Sequence, residues 1–247
     1  MDGGAGNDTY ILTPGGNDTI IDSAGNDVLD FSRTVGTGVN VDLSRTNGST
    51  QNIAPGASLT LRGVVEVVIG TNQADVLSGG SGNDVLVGLG GDDRLQGQSG
   101  DDILIGGSGD DDLSGGAGRD ILIGGFGADR LNAGSGEDIL IAGYTAYDVA
   151  AGPAPGTFLD QVDLAAWAAI RGVWVGTGDA ASRARTINTG TTYRLRATGE
   201  AQTVFDDGAA DTLTGSQSTD WYFANLGTGL DVITDKDDTE FFNDEIP

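Results

Sequence analysis

The chain has 247 residues, of which 43 are Gly, and its 37 acidic side chains against 12 basic ones leave a formal charge of -25. With no Cys and no His, it has no disulfide framework, no thiolate or imidazole metal site, no cysteine nucleophile and no Ser-His-Asp triad. A pI near 4.1 argues against nucleic acid, whose phosphates demand Lys and Arg, and no run of 18 apolar residues is present to span a membrane.

Residues 1–30 open on a nine-residue unit, GGAGNDTYI (Gly3 to Ile11), with Asp8 and Tyr10 in register. Two looser copies follow and place Asp18 with Ile20 and Asp27 with Leu29. The start lacks the basic and apolar regions of a signal peptide and lies inside a repeat, so we expect a longer protein upstream. Residues 31–69 interrupt the array. Val39, Val41 and Leu43 alternate with polar residues, as do Leu59 and Leu61, which predicts strands. Val64 to Ile69 reads as a buried strand, and the stretch from Ser44 to Ser58 as a loop. Wider coils of one solenoid are expected here.

Residues 70–143 carry the strongest signal. From Gly70 to Ile141 the chain divides into eight unbroken blocks of nine, such as GGSGNDVLV. Asp holds the sixth position every time: Asp75, Asp84, Asp93, Asp102, Asp111, Asp120, Asp129 and Asp138. Leu holds every eighth position, from Leu77 to Leu140, and Gly every fourth except at Gln73. Three residues of the form x-Leu-x make a short strand with the Leu facing one way. The six that follow turn the chain, and Gly is needed where φ is positive. One such unit cannot bury its own apolar face, so only the stacked array is stable.

Stacking also piles the Asp side chains into two columns, where like charges repel. Hard oxygen ligands at this density, beside carbonyls exposed by the turns, suit Ca²⁺, with the outermost members, Asp75 and Asp138, expected to be the weakest. Alternate coils belong to opposite faces. On one face the seventh and ninth positions are Val85/Val87, Ile103/Ile105, Ile121/Ile123 and Ile139/Ile141; the other has Val76/Ser78, Arg94/Gln96, Asp112/Ser114 and Arg130/Asn132. The first set is wholly aliphatic and should not face water. We expect the rest of the chain to cover it. The other candidates are a protein or surface partner at the Val85/Ile103/Ile121/Ile139 face, or a flat ice- or polysaccharide-binding plane.

Residues 144–205 change character. Thr157 and Asp160 resemble a capping box. Phe158, Val162, Ala165, Ala166, Ala169 and Val173 then share a helical face, with a stop at Gly172. This helix, with Trp167 and Trp174, is the candidate lid. Asn188 to Thr198 reads as strands, and Arg183, Arg185, Arg194 and Arg196 read as balance for the acidic repeats, with an anion site as the alternative. Residues 206–247 return to the nine-residue spacing, with Asp211 before Leu213 and Asp220 before Tyr222, and read as a degenerate final coil and cap. DKDDTE (Asp235 to Glu240) only superficially resembles a calcium loop.

The repeat GGxGxDxUx (U, a large aliphatic residue) resembles the RTX (repeats-in-toxin, hemolysin-type) family of bacterial calcium-binding repeats. The resemblance implies an all-β fold: a right-handed parallel β-roll or β-helix solenoid, here with a small C-terminal α+β capping region. It implies several Ca²⁺ ions held between turns by Asp8, Asp18, Asp27 and the eight roll aspartates. Turn carbonyls near Gly80, Gly82, Gly91, Gly100, Gly107, Gly109, Gly116, Gly118, Gly125, Gly127 and Gly136 would complete the sites. It further implies type I secretion through a one-step bacterial channel, a secreted or cell-surface location, and folding only where Ca²⁺ is near millimolar. No catalytic set is visible, so the chain is expected not to be an enzyme. The alternatives are the non-catalytic C-terminal region of a secreted hydrolase, or a structural or adhesive surface protein using its apolar sheet.

Overall fold

Leucines repeated every nine residues settle the architecture. In the computed structural model, which describes residues 1–145, 147, 163–189, 195, 204–205, 207–216, 218–224, 231–234 and 241–242, each coil's Leu pairs in parallel with the Leu two coils on. Leu86, Leu104, Leu122 and Leu140 run down one sheet, and Leu77, Leu95, Leu113 and Leu131 down the other. All eight are buried between the two sheets. Each such burial contributes about 1.5–3 kcal/mol, and the array adds them in phase.

One sheet has nine strands, ordered Thr9–Ile11, Val28–Asp30, Val67–Ile69, Val85–Gly90, Ile103–Ser108, Ile121–Phe126, Ile139–Ile141, Trp221–Phe223 and Phe241–Phe242. The facing sheet has seven, from Asn40–Asp42 to Val232–Ile233. This is a parallel β-roll. The central strands have six residues rather than the expected three, because pairing continues past the bend into the glycines, as with Leu89 opposite Gly107.

Two excursions leave the roll and return in register. In the first, the expected loop from Ser44 to Ser58 is instead mostly the strand Asn47–Ala54, antiparallel to Ala57–Arg62. Pro55 and Gly56 make the turn between them. Pro presets its own φ, and Gly56 takes a φ of +77°. Within the expected Val64–Ile69 strand, Val64 is exposed and only Val67–Ile69 pairs.

The second excursion supplies the lid. Helix α1, Leu164–Trp174, starts at Asp163, whose side chain accepts the Ala166 N–H at 2.9 Å. The capping box at Thr157 and Asp160, with Phe158 and Val162, lies outside the described residues. Gly172 does not stop the helix; it sits on the exposed side within the last turn. The buried face is Ala166, Trp167, Ile170 and Trp174, while Ala165 and Ala169 face solvent. Two indole rings bury far more apolar area than alanines, so the helix turns to bury them. Helix α2, Ala180–Thr189, takes Asn188 and Thr189 out of the expected strand; of the remaining residues to Thr198, only Leu195 is described.

Together α1 and α2 cover the aliphatic face. Val85, Ile103, Ile121 and Ile139 pack in one cluster with Trp167, Ile170, Trp174, Ala184 and Ile187, and no partner is needed to keep them from water. The opposite face stays open, with Val76, Arg94, Asp112 and Arg130 exposed. After the helices the roll resumes: Leu131 pairs with Leu213, and Leu140 with Tyr222.

Candidate metal centre

Each sixth-position Asp ends a turn just before its strand. Its backbone N–H donates to Oδ1 of the Asp two coils on: Asp75 to Asp93, Asp84 to Asp102, Asp93 to Asp111, Asp102 to Asp120, Asp111 to Asp129 and Asp120 to Asp138, all at 2.7–2.8 Å. The result is two hydrogen-bonded ladders, one along each edge of the roll. Both continue across the helical excursion. Asp129 donates to Asp211 and Asp138 to Asp220, partners 82 residues away rather than 18. Asp211 in turn donates to Asp231 at 3.2 Å. Asp138 is therefore an inner member and not an end.

The second carboxylate oxygen sorts the turns into two kinds. At Asp75 and Asp84, Oδ2 accepts the N–H of the second residue of its own turn, Thr71 or Gly80, at 2.6 Å. At Asp93, Asp102, Asp111, Asp120, Asp129 and Asp138, Oδ2 is buried with no hydrogen-bond partner. The difference tracks one dihedral angle. In those six turns the second residue (Leu89, Gln98, Gly107, Gly116, Gly125 or Gly134) has a positive φ, from +75° to +119°. Thr71 and Gly80 do not. Leu89 and Gln98 take this conformation despite a side chain, at a cost of about 1–2 kcal/mol each. Backbone oxygen crowds the same place: a Cβ on Gly106 would lie 2.3 Å from Asp111 Oδ2 and 2.6 Å from the Gly124 carbonyl.

The electrostatics follow. Burial pushes Asp75 and Asp84 up to about 6, with their turn N–H bonds working against the rise. Burial, with neighbouring carboxylates adding to it, raises Asp111 and Asp120 to about 7, Asp102 and Asp138 to about 8, and Asp93 and Asp129 to about 9. A row of buried carboxylates with one bare oxygen each, beside stacked peptide carbonyls, is a hard-oxygen donor set that suits Ca²⁺. Helix α1 brings one positive charge close by: Arg171 donates to the carbonyls of Asp84 and Asp101 at 3.3 and 3.2 Å. Arg183 is taken up by Glu137 and lies over Trp174, as expected of a balancing charge.

Not every candidate joins a ladder. Asp8 donates to Asp27 Oδ1 at 2.9 Å, and Asp27 donates to Glu66 Oε2 at 2.8 Å. Asp18 is in neither row; it lies in the strand Gly16–Ala24, opposite Leu59, in a separate four-stranded sheet. Asp22 comes in beside Asp8 and Asp27 instead. The signal for it is an Asp at the first position of its block, where the repeat carries Gly. Glu66, Asp211, Asp220 and Asp231 are further ladder members, each standing just before a strand. Asp235 to Glu240 lies outside the described residues, as do Arg194 and Arg196.

Fold and site together define a β-solenoid whose turns present stacked acidic oxygens for metal. The family model described as the RTX calcium-binding nonapeptide repeat (4 copies) matches residues 15–32, 69–104, 87–122, 105–140 and 197–230. The chain belongs to the RTX calcium-binding nonapeptide repeat family and is a calcium-binding β-roll module. No curated protein matches it. Among the described residues, no helix is long and apolar enough to cross a membrane.

Proposed function

We propose that this chain is the calcium-folded β-roll of a secreted bacterial protein, serving the export and stability of a larger polypeptide rather than catalysis. Six buried carboxylate oxygens without partners carry this reading. A bound Ca²⁺ supplies the positive charge that lets those carboxylates ionise inside the roll. The residues themselves hold the backbone: in these six turns Oδ1 fastens the coil two before it, while Oδ2 and the turn carbonyls would hold the ion. Without Ca²⁺, burying this charge opposes folding. The chain then stays extended at low Ca²⁺ and folds where Ca²⁺ is near millimolar, the range of extracellular modules with Kd of about 10⁻⁴–10⁻³ M. Any catalytic domain would lie outside this chain. An adhesive role through the aliphatic sheet is the weaker reading, because α1 and α2 already bury that sheet.

The test is far-UV circular dichroism during a Ca²⁺ titration after EDTA treatment, with Mg²⁺ as control. A cooperative gain of β signal with Ca²⁺ alone is expected. A β spectrum indifferent to EDTA would overturn the reading.

A further inference from the structure

In the N-terminal coils two pattern aspartates, Asp8 and Asp27, are joined by a third, Asp22, that the nonapeptide pattern does not supply. Asp8, Asp22 and Asp27 each bring a carboxylate oxygen within 4.8 Å of the others, and no other three acidic side chains among the described residues do so. In the roll, one carboxylate per turn is completed by peptide carbonyls. Here Asp22 stands at the first position of its block, in place of the usual Gly, and adds a third carboxylate.

Two of the three, Asp22 and Asp27, are held from behind. Tyr10 donates its hydroxyl to Asp22 Oδ2, and the Ala24 N–H reaches Asp22 Oδ1 at 3.3 Å. The Asp8 N–H fixes Asp27 Oδ1. Asp27 is fully buried, Asp22 is nearly so, and Asp27 Oδ2 has no partner. Gly3 closes the group: a Cβ there would lie 2.7 Å from Oδ2 of both Asp8 and Asp22. Among the described residues, no basic side chain forms a salt bridge with the group. The described ion pairs are Arg45 with Asp42, and Arg119 and Arg183 with Glu137; none involves this group. Burial, then the charges of Asp22 and Asp8, raise Asp27 against its bond from the Asp8 N–H.

We propose that Asp8, Asp22 and Asp27 form a separate Ca²⁺ site at the N-terminal end of the roll, tighter than the sites between the turns. The choice of ion rests on the calcium reading above; the carboxylates are the site's own. Ca²⁺ takes about six to eight oxygens in a flexible arrangement, whereas Mg²⁺ demands near-octahedral geometry and gives up its waters reluctantly. Three carboxylates in place of one raise affinity, because ligand charge tunes it. Such a site fills first and pins the first coils while the turns are still empty.

Tyr10 provides the readout, since a tyrosine beside a site sensitises bound Tb³⁺. The full chain, stripped with EDTA, is titrated with Tb³⁺ under tyrosine excitation and then with competing Ca²⁺ or Mg²⁺. A first, tight phase is expected, displaced by Ca²⁺ and not by equal Mg²⁺. Tyr10→Phe should abolish its emission, and Asp22→Asn should weaken it at least tenfold while the calcium-dependent β transition of the roll persists. Asp111→Asn should leave it in place. Emission that survives in Tyr10→Phe, or a first phase unchanged in Asp22→Asn, overturns this site and leaves the roll reading standing. Absence of any calcium response in the wild type overturns both. Should Asp22→Asn not fold, the Tyr10→Phe comparison decides alone.

Discussion

The N–H of Gly80 donates to Oδ2 of Asp84 at 2.6 Å. Two coils on, the equivalent residue is Gln98, turned to a φ of +75°, and Oδ2 of Asp102 has no partner. One backbone rotation thus separates a turn that satisfies its own carboxylate from a turn that leaves it for an ion. Asp102→Asn should therefore lower the calcium stoichiometry by one or more in equilibrium dialysis. Asp84→Asn should change it little. The amide oxygen can still accept the Asp84 N–H in Asp102→Asn and the Gly80 N–H in Asp84→Asn, so neither variant should lose the metal-bound fold. Asp102→Ala goes further and strands the buried N–H of Asp84, at about 1–3 kcal/mol.

The metal-free roll should be more stable in acid. The inner aspartates have pKa values of about 7 to 9 in the fold, against an ordinary value near 4. Between those limits the folded state binds more protons than the unfolded one, so stability falls as pH rises. In EDTA, β signal by circular dichroism is expected to appear as pH falls to 5 and to be lost by pH 8. With Ca²⁺ the dependence reverses: binding displaces those protons, so calcium affinity rises over the same range. Calorimetry at pH 7 in two buffers of different ionisation enthalpy should detect the released protons.

Two glycines predict opposite outcomes. Gly118 has a φ of +142°, and a Cβ on it would lie 1.9 Å from the Gly100 carbonyl. Gly118→Ala should cost more than about 2 kcal/mol, from the clash and the strained backbone together. Gly172 lies on the open side of α1 with nothing within 4 Å of a Cβ. Gly172→Ala should stabilise by about 1 kcal/mol. Thermal unfolding in saturating Ca²⁺ checks both signs.

Trp174 is the pin of the lid. It is fully buried, its indole N–H donates to the Glu137 carbonyl at 2.7 Å, and its ring lies 6.3 Å from that of Trp221. Trp174→Ala should cost about 3–5 kcal/mol. It should also raise binding of a hydrophobic dye, as the Ile103 and Ile121 rows become accessible, while calcium still drives the β transition.

Much of this is legible in the chain itself, because a strict period converts sequence position directly into place. Asp84 and Asp102 must stack, and Ile103 must share a face with Ile121, as soon as the nine-residue register is granted. The register hides what the excursions carry. Glu66 joins the Asp27 row 39 residues on, and Asp220 joins Asp138 across the helices, since pairing needs proximity of coils and not of sequence. The phase of α1 is missed because a run of alanines fits several faces equally, and only packing of Trp167 and Trp174 selects one. The sorting of turns by φ at the second position has no sequence signature at all: Gly80 and Gly107 are the same residue in two conformations.

Since ladders and strands join each coil to the next but one, the repeat that matters is eighteen residues long. Removing a pair of coils would shorten the cylinder and leave both sides as they are. Removing a single coil would exchange sides for everything downstream. Ile139 and Ile141 would be turned outward to water, with Arg130 and Asn132 driven under the indoles. The length of this roll is thus counted in twos, and a lineage that gains or loses coils can drift in length only by even steps.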